Sequence, residues 1–105
     1  MKIEDLRIRD PFLLADGGKY YLTGTFCGGK DGYAEIYCGD TTDEFYSLGH
    51  PIDAAYLKGY TDFWAPELHK YEGKYYLIAS LYREDLGRGS MIFVSEHPGG
   101  GYVPL

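Results

Sequence analysis

Along the chain, short runs of aromatic and aliphatic residues alternate with glycine-rich polar breaks, and the arrangement occurs twice. Phe12 to Ala15 reads as a short inner strand, and Asp16-Gly17-Gly18 has the residues of a tight turn. Lys19 to Thr25 is rich in aromatic and β-branched side chains, which suit a pleated surface. Gly28-Gly29-Lys30-Asp31-Gly32 then reads as a loop, Ala34 to Cys38 as a return strand, and Phe45 to Leu48 as a ragged outer strand. The second pass predicts strands at Glu67 to Lys70, Lys74 to Tyr82 and Ser90 to Ser95, with an outer strand opening at Tyr102-Val103. Its turns fall at Tyr71-Glu72-Gly73, at Arg83 to Gly89 and at Gly99-Gly100-Gly101. Residues 49–62 are a long connection, and no capped helix-period stretch stands out. The chain is predicted to be all-β.

The two passes are a true repeat. Asp10-Pro11-Phe12-Leu13-Leu14-Ala15-Asp16-Gly17-Gly18-Lys19-Tyr20-Tyr21-Leu22 returns 55 positions later as Ala65-Pro66-Glu67-Leu68-His69-Lys70-Tyr71-Glu72-Gly73-Lys74-Tyr75-Tyr76-Leu77, with seven of 13 positions identical. A repeat of roughly 50 residues built from short strands is the signature of a β-propeller blade. The expected architecture is two four-stranded antiparallel blades, about 8–50 and about 62–105, the second truncated. Consecutive apolar residues such as Tyr20-Tyr21-Leu22 fit sheets covered on both faces, as stacked blades are.

Two repeats are few, because stacked-repeat folds need about three or more to be stable. With 105 residues, the chain reads as a fragment, a truncated gene product, or a subunit that completes its ring by association. An open pair of blades exposes faces rich in Tyr, Phe and Leu, which favours self-association. A formal net charge of -6 argues against nucleic-acid and anionic-membrane partners, which call for basic surface. No stretch approaches the ~20 apolar residues of a membrane span. Met1-Lys2-Ile3-Glu4-Asp5-Leu6 is too charged for a signal peptide, which points to a cytoplasmic or an artificially trimmed chain. If residues 28–33 form a hairpin loop, Cys27 faces Ala34 and Cys38 faces Thr23. The sulfurs then stand about 13 Å apart along the ladder, too far for a disulfide's Cα limit of ~7 Å.

Three residues stand out chemically. Asp10 precedes Pro11, whose ring restricts the preceding residue toward extended backbone, so its carboxylate is held at the start of an inner strand. Innermost strands line a propeller's channel, where a fixed carboxylate suits a general base acting on water. Asp-Pro also simply opens turns, and spacing alone does not separate the two readings. Trp64, the sole tryptophan, offers an aromatic face to the apolar C–H face of a sugar, or else packs the blade. Glu67 aligns with Phe12, two residues beyond the register of Asp10, about 7 Å along the same face. It lines the channel as a second carboxylate or serves as a structural hydrogen-bonding group. His50, His69 and His97 lack metal-ligand spacing, so no metal is expected. No phosphate-loop or dinucleotide motif appears, and no cofactor is expected. Most of the twelve Tyr recur at strand positions and read as core.

Ile8-Arg9-Asp10-Pro11-Phe12 with Gly18-Lys19-Tyr20-Tyr21-Leu22, then Asp62-Phe63-Trp64-Ala65-Pro66-Glu67-Leu68 with Gly73-Lys74-Tyr75-Tyr76-Leu77, resemble the first two blades of glycoside hydrolase family 43. Phe93-Val94-Ser95 and the Tyr102-Val103-Pro104-Leu105 ending are similar to that family's second-blade close. The resemblance implies part of a five-bladed propeller that hydrolyses arabinofuranosides, xylosides and related plant polysaccharide linkages with inversion. By it, Asp10 matches the general base and Trp64 an aromatic of the sugar subsite. The family's general acid and the Asp that tunes it come from later blades, so weak or absent hydrolysis is expected of these 105 residues alone. Two other readings are a non-catalytic propeller piece that binds carbohydrate or self-associates, and a β-fructosidase-like cousin. The Trp64-Ala65-Pro66-Glu67 motif favours family 43 over the latter.

Overall fold

The computed structural model describes residues 1–27 and 34–105. The expected loop from Gly28 to Gly32 lies outside the described residues. Among the described residues, eight strands form two four-stranded antiparallel sheets, each in simple sequence order. The first holds β1 (Ile8–Asp16), β2 (Lys19–Phe26), β3 (Tyr37–Gly39) and β4 (Tyr46–Ser47). The second holds β5 (Tyr60–Tyr71), β6 (Lys74–Arg83), β7 (Gly87–Ser95) and β8 (Val103–Pro104). β5 of the second sheet packs on β1 and β2 of the first, as in neighbouring propeller blades.

Both opening hairpins turn in two residues, a geometry that needs positive φ at each turn position. Gly17 and Gly18 supply φ of 58° and 79° in the first copy, and Glu72 and Gly73 supply 49° and 79° in the second. The register closes as Asp16↔Lys19 and Tyr71↔Lys74. The period-2 alternation that follows decides which side is buried. Tyr75, Leu77, Ala79 and Leu81 of β6 are buried, whereas Tyr76, Ile78 and Ser80 between them are half-buried. The buried set joins Phe63, Leu68, Phe93 and Tyr102, with Phe12, Leu14 and Tyr21 of the first sheet packed against it. This is the inter-blade core. A smaller cluster of Leu6, Leu22, Tyr37 and Phe45 lies between the N-terminal segment and the first sheet.

The connection between the sheets is itself packed. Asp53 accepts a hydrogen bond from the Ala55 amide at 2.9 Å and caps a short 3-10 helix, Ala54–Leu57. Ile52 and Leu57 enter the inter-blade core, and Ile52 bridges to Tyr102.

Several expectations need correction. The inner strands are far longer than Phe12 to Ala15 and Glu67 to Lys70, because bulges carry them on through the prolines. Arg83 pairs with Gly87, so the β6–β7 turn is tighter than a loop from Arg83 to Gly89. Cys38 faces Tyr21 and not Thr23, since the return strand begins only at Tyr37. Cys27 is exposed and Cys38 buried, both as free thiols.

A polar latch ties the blades together. The Asp16 carboxylate accepts the Tyr75 hydroxyl and, at 3.0 Å, the Lys70 ammonium. Tyr75 first and Lys70 second hold this carboxyl below its ordinary range. A depressed folded-state pKa contributes stability that is full above the unfolded value of ~3.9 and is lost as pH falls through the folded one. Asp16→Asn is therefore expected to lower the urea midpoint at about pH 6 and to match wild type at strongly acid pH. A midpoint gap that stays constant on acidification would show that the latch does not depend on the charge.

Candidate active site

Asp10 lies where the innermost strand β1 departs from regular pairing. Arg9↔Thr25 and Phe12↔Thr23 leave Asp10 and Pro11 together opposite the single residue Gly24. Such a two-against-one bulge bends the strand and re-aims a side chain. The extra residue is absorbed at Asp10, whose φ is 49°. The extended backbone expected ahead of Pro11 is thus overturned. Asp tolerates the left-handed region better than most residues. Gly24 is needed opposite, because a Cβ there would stand 2.7 Å from the Arg9 carbonyl oxygen.

The second copy repeats the device. Trp64↔Ser80 and Glu67↔Ile78 leave Ala65 and Pro66 opposite Ala79, with Ala65 at φ 47°. An earlier bulge sets Asp62, at φ 53°, and Phe63 opposite Leu81. For Ala65, which lacks a polar side chain to compensate, left-handed backbone costs about 1–2 kcal/mol. Strain of this kind clusters at functional sites.

The two bulges meet through one hydroxyl. Thr25, 2% exposed, accepts the Ala65 amide at 2.7 Å and donates to Asp10 Oδ2 at 3.4 Å. Asp10 is itself exposed, on the edge strand of its sheet. Its carboxylate therefore stands beside the junction of β1 and β5, open to solvent but tethered from behind.

Trp64 sits one residue before Ala65 and is 43% exposed. One face of its ring is taken, with the Arg88 guanidinium carbon 3.6 Å from the ring centroid. Arg88 is held in turn by Ser80 Oγ at 2.7 Å, the Asp62 carbonyl at 3.2 Å and Asp62 Oδ2 at 3.5 Å. Only the other face of the indole is left for a ligand. Because Trp64 is the sole tryptophan, its emission reports this stack directly. Arg88→Ala is expected to shift the emission to longer wavelength and raise acrylamide quenching, at a stability cost of about 0.5–1 kcal/mol. An unchanged spectrum and quenching constant would rule out the stack in solution.

Glu67 follows the second bulge, exposed, and its Oε1 lies 2.9 Å from His69 Nε2. The His69 ring is 5.1 Å from that of Phe12, centroid to centroid. Glu67 is thus engaged by a neighbour on its own strand. Among the described residues, no three or more His, Cys, Asp or Glu gather as a metal-binding group.

Sequence reasoning missed Thr25 and Arg88. A signal did exist. Thr25 and Ser80 occupy equivalent repeat positions, as do Arg9 and Trp64, and each hydroxyl-bearing residue pairs with its partner on the inner strand. A hydroxyl kept at one place in both copies, facing the motif residues, is the clue.

The arrangement offers a restrained carboxylate and a one-sided aromatic platform at the meeting of two bulged inner strands. Known proteins share the fold. An endo-arabinase from Bacteroides thetaiotaomicron is 31% identical, with a TM-score of 0.84 over 100% of this chain and 37% of its own. A thermostable family-43 glycoside hydrolase is 26% identical, with a TM-score of 0.81 over 94% of this chain and 32% of its own. The probable arabinan endo-1,5-alpha-L-arabinosidase C of Aspergillus clavatus is 39% identical over 66 residues, 61% of this chain and 20% of that protein. The chain thus spans between 20% and 37% of the length of these relatives. The sequence pattern of glycosyl hydrolases family 43 matches residues 3–105, and the chain belongs to that family.

Proposed function

We propose that the protein hydrolyses O-glycosidic bonds in arabinose- or xylose-containing polysaccharides and oligosaccharides with inversion, Asp10 acting as the general base. Membership of family 43 supports the reaction class, and the arabinan-cleaving names of two relatives support the substrate class. The observation that carries the assignment is the bulge at Asp10, which holds an exposed carboxylate beside the blade junction on a tether from Thr25.

In this reading Asp10 takes a proton from water as that water attacks the anomeric carbon from the side opposite the leaving oxygen. Inverting pairs stand about 6.5–9.5 Å apart to admit the water, so the proton donor faces Asp10 across the sugar. That donor belongs to a later blade of the ring. Trp64 supports the sugar on its free face, and Glu67 contributes to substrate binding lower on the same strand. The test is hydrolysis of aryl α-L-arabinofuranosides and β-D-xylosides by the full-length gene product, with the first-formed anomer read by proton NMR. Inverted product is expected. Retained configuration, or no turnover of either substrate, sinks the reading.

A further inference from the structure

We propose that Thr25 is the positioning residue of Asp10, its single hydroxyl proton committed to the carboxylate by the Ala65 amide of the neighbouring blade. The inference rests on the base assignment above and adds what aims that base.

A threonine hydroxyl carries one proton and two lone pairs. The Ala65 N–H, at 2.7 Å, occupies a lone pair and so turns the proton away from β5. The acceptor standing there is Asp10 Oδ2, at 3.4 Å. That bond is long, as catalytic hydrogen bonds often are in the absence of substrate. Branching at Cβ restricts χ1, so the hydroxyl is a stiff support. Thr25 is 2% exposed and does not reach a bound sugar. Its influence on the reaction is indirect, through Asp10 on one side and the Ala65 bulge on the other.

The source of the amide matters. Ala65 is the second blade's counterpart of Asp10, and its left-handed bulge presents the N–H to the first blade. The aim of the base is thereby coupled to the docking of two blades, across 40 residues of sequence. The equivalent hydroxyl in the second blade, Ser80, accepts from Arg88 and supports the Trp64 platform. One strand position thus serves the carboxylate in one blade and the aromatic in the next.

The experiment is steady-state kinetics of Thr25→Val, Thr25→Ser and Asp10→Asn in the full-length gene product, alongside thermal unfolding. Thr25→Val keeps the shape and loses the hydroxyl. A kcat about 10- to 100-fold lower with KM unchanged is expected, as for a displaced catalytic group. Thr25→Ser should restore kcat to near wild type. Thr25→Val also leaves the Ala65 amide unpaired, so Thr25→Ala is the second variant. Its smaller side chain lets water satisfy that amide, and the same loss of kcat is expected. Wild-type kcat in Thr25→Val or Thr25→Ala overturns the proposal, and so does an equal loss in Thr25→Ser. If Asp10→Asn keeps its turnover, the base assignment itself fails. If Asp10→Asn is dead while Thr25→Val is fully active, only the positioning role fails.

Discussion

Asp10→Asn is expected to lower turnover of an aryl arabinofuranoside or xyloside by about 10²–10⁴-fold, the usual worth of a positioned general base. Its folding should be unaffected. Asn has the same shape, tolerates the left-handed backbone of this position, and retains an oxygen to accept the Thr25 hydroxyl. What it lacks is the basicity to take a proton from water. The measurement pairs kcat with the melting temperature in one preparation. A variant that melts like wild type and turns over within tenfold of it would remove Asp10 from the mechanism. Because Asp10 is exposed and held by a single side-chain bond, a loss of stability is not expected to confound the result.

The second large effect lies in the core. Phe93 is fully buried between the sheets, whereas its neighbour Ile92 is 41% exposed on the opposite face of the same strand. Phe93→Ala removes the whole phenyl ring from a packed interior, which costs about 3–5 kcal/mol. Ile92→Ala should cost under about 1 kcal/mol, as surface changes do. Whole domains are stable by only about 5–15 kcal/mol, so Phe93→Ala is expected to remove a large fraction of the protein's stability. Urea or thermal midpoints of the two variants check this. Equal shifts would mean that β7 does not bury one face over the other, and a larger shift for Ile92→Ala that it buries the opposite face.

Much of this architecture is legible in local pattern. The Gly-Lys-Tyr-Tyr-Leu run after a two-residue turn specifies a hairpin, because turn geometry and period-2 alternation act between residues close in sequence. The strand order then follows from consecutive hairpins. The ladder between Cys38 and Tyr21 is less legible, since β2 ends at Phe26 and β3 begins at Tyr37, too far apart in sequence for turn type to fix the register. Asp10 and Trp64 were visible as motif residues, but their surroundings were not. Proline's local restriction pointed to extended backbone at Asp10, and the bulge opposite Gly24 overrode it. Glu67 was placed correctly on β5, while its engagement by His69 depends on rotamers that no motif records.

Sequence by itself therefore determined that this protein forms two like sheets, where the opening hairpin of each turns, and which carboxylate precedes the first repeat's proline. Those are short-range properties, set by side-chain alternation and by glycine at turns. Only the tertiary structure decided how that carboxylate is aimed. Its tether runs from Asp10 through Thr25 to the Ala65 amide, and residues so far apart in the chain meet only after the sheets have packed. Backbone amides carry no sequence letter of their own, so a site completed by one becomes visible only in the fold.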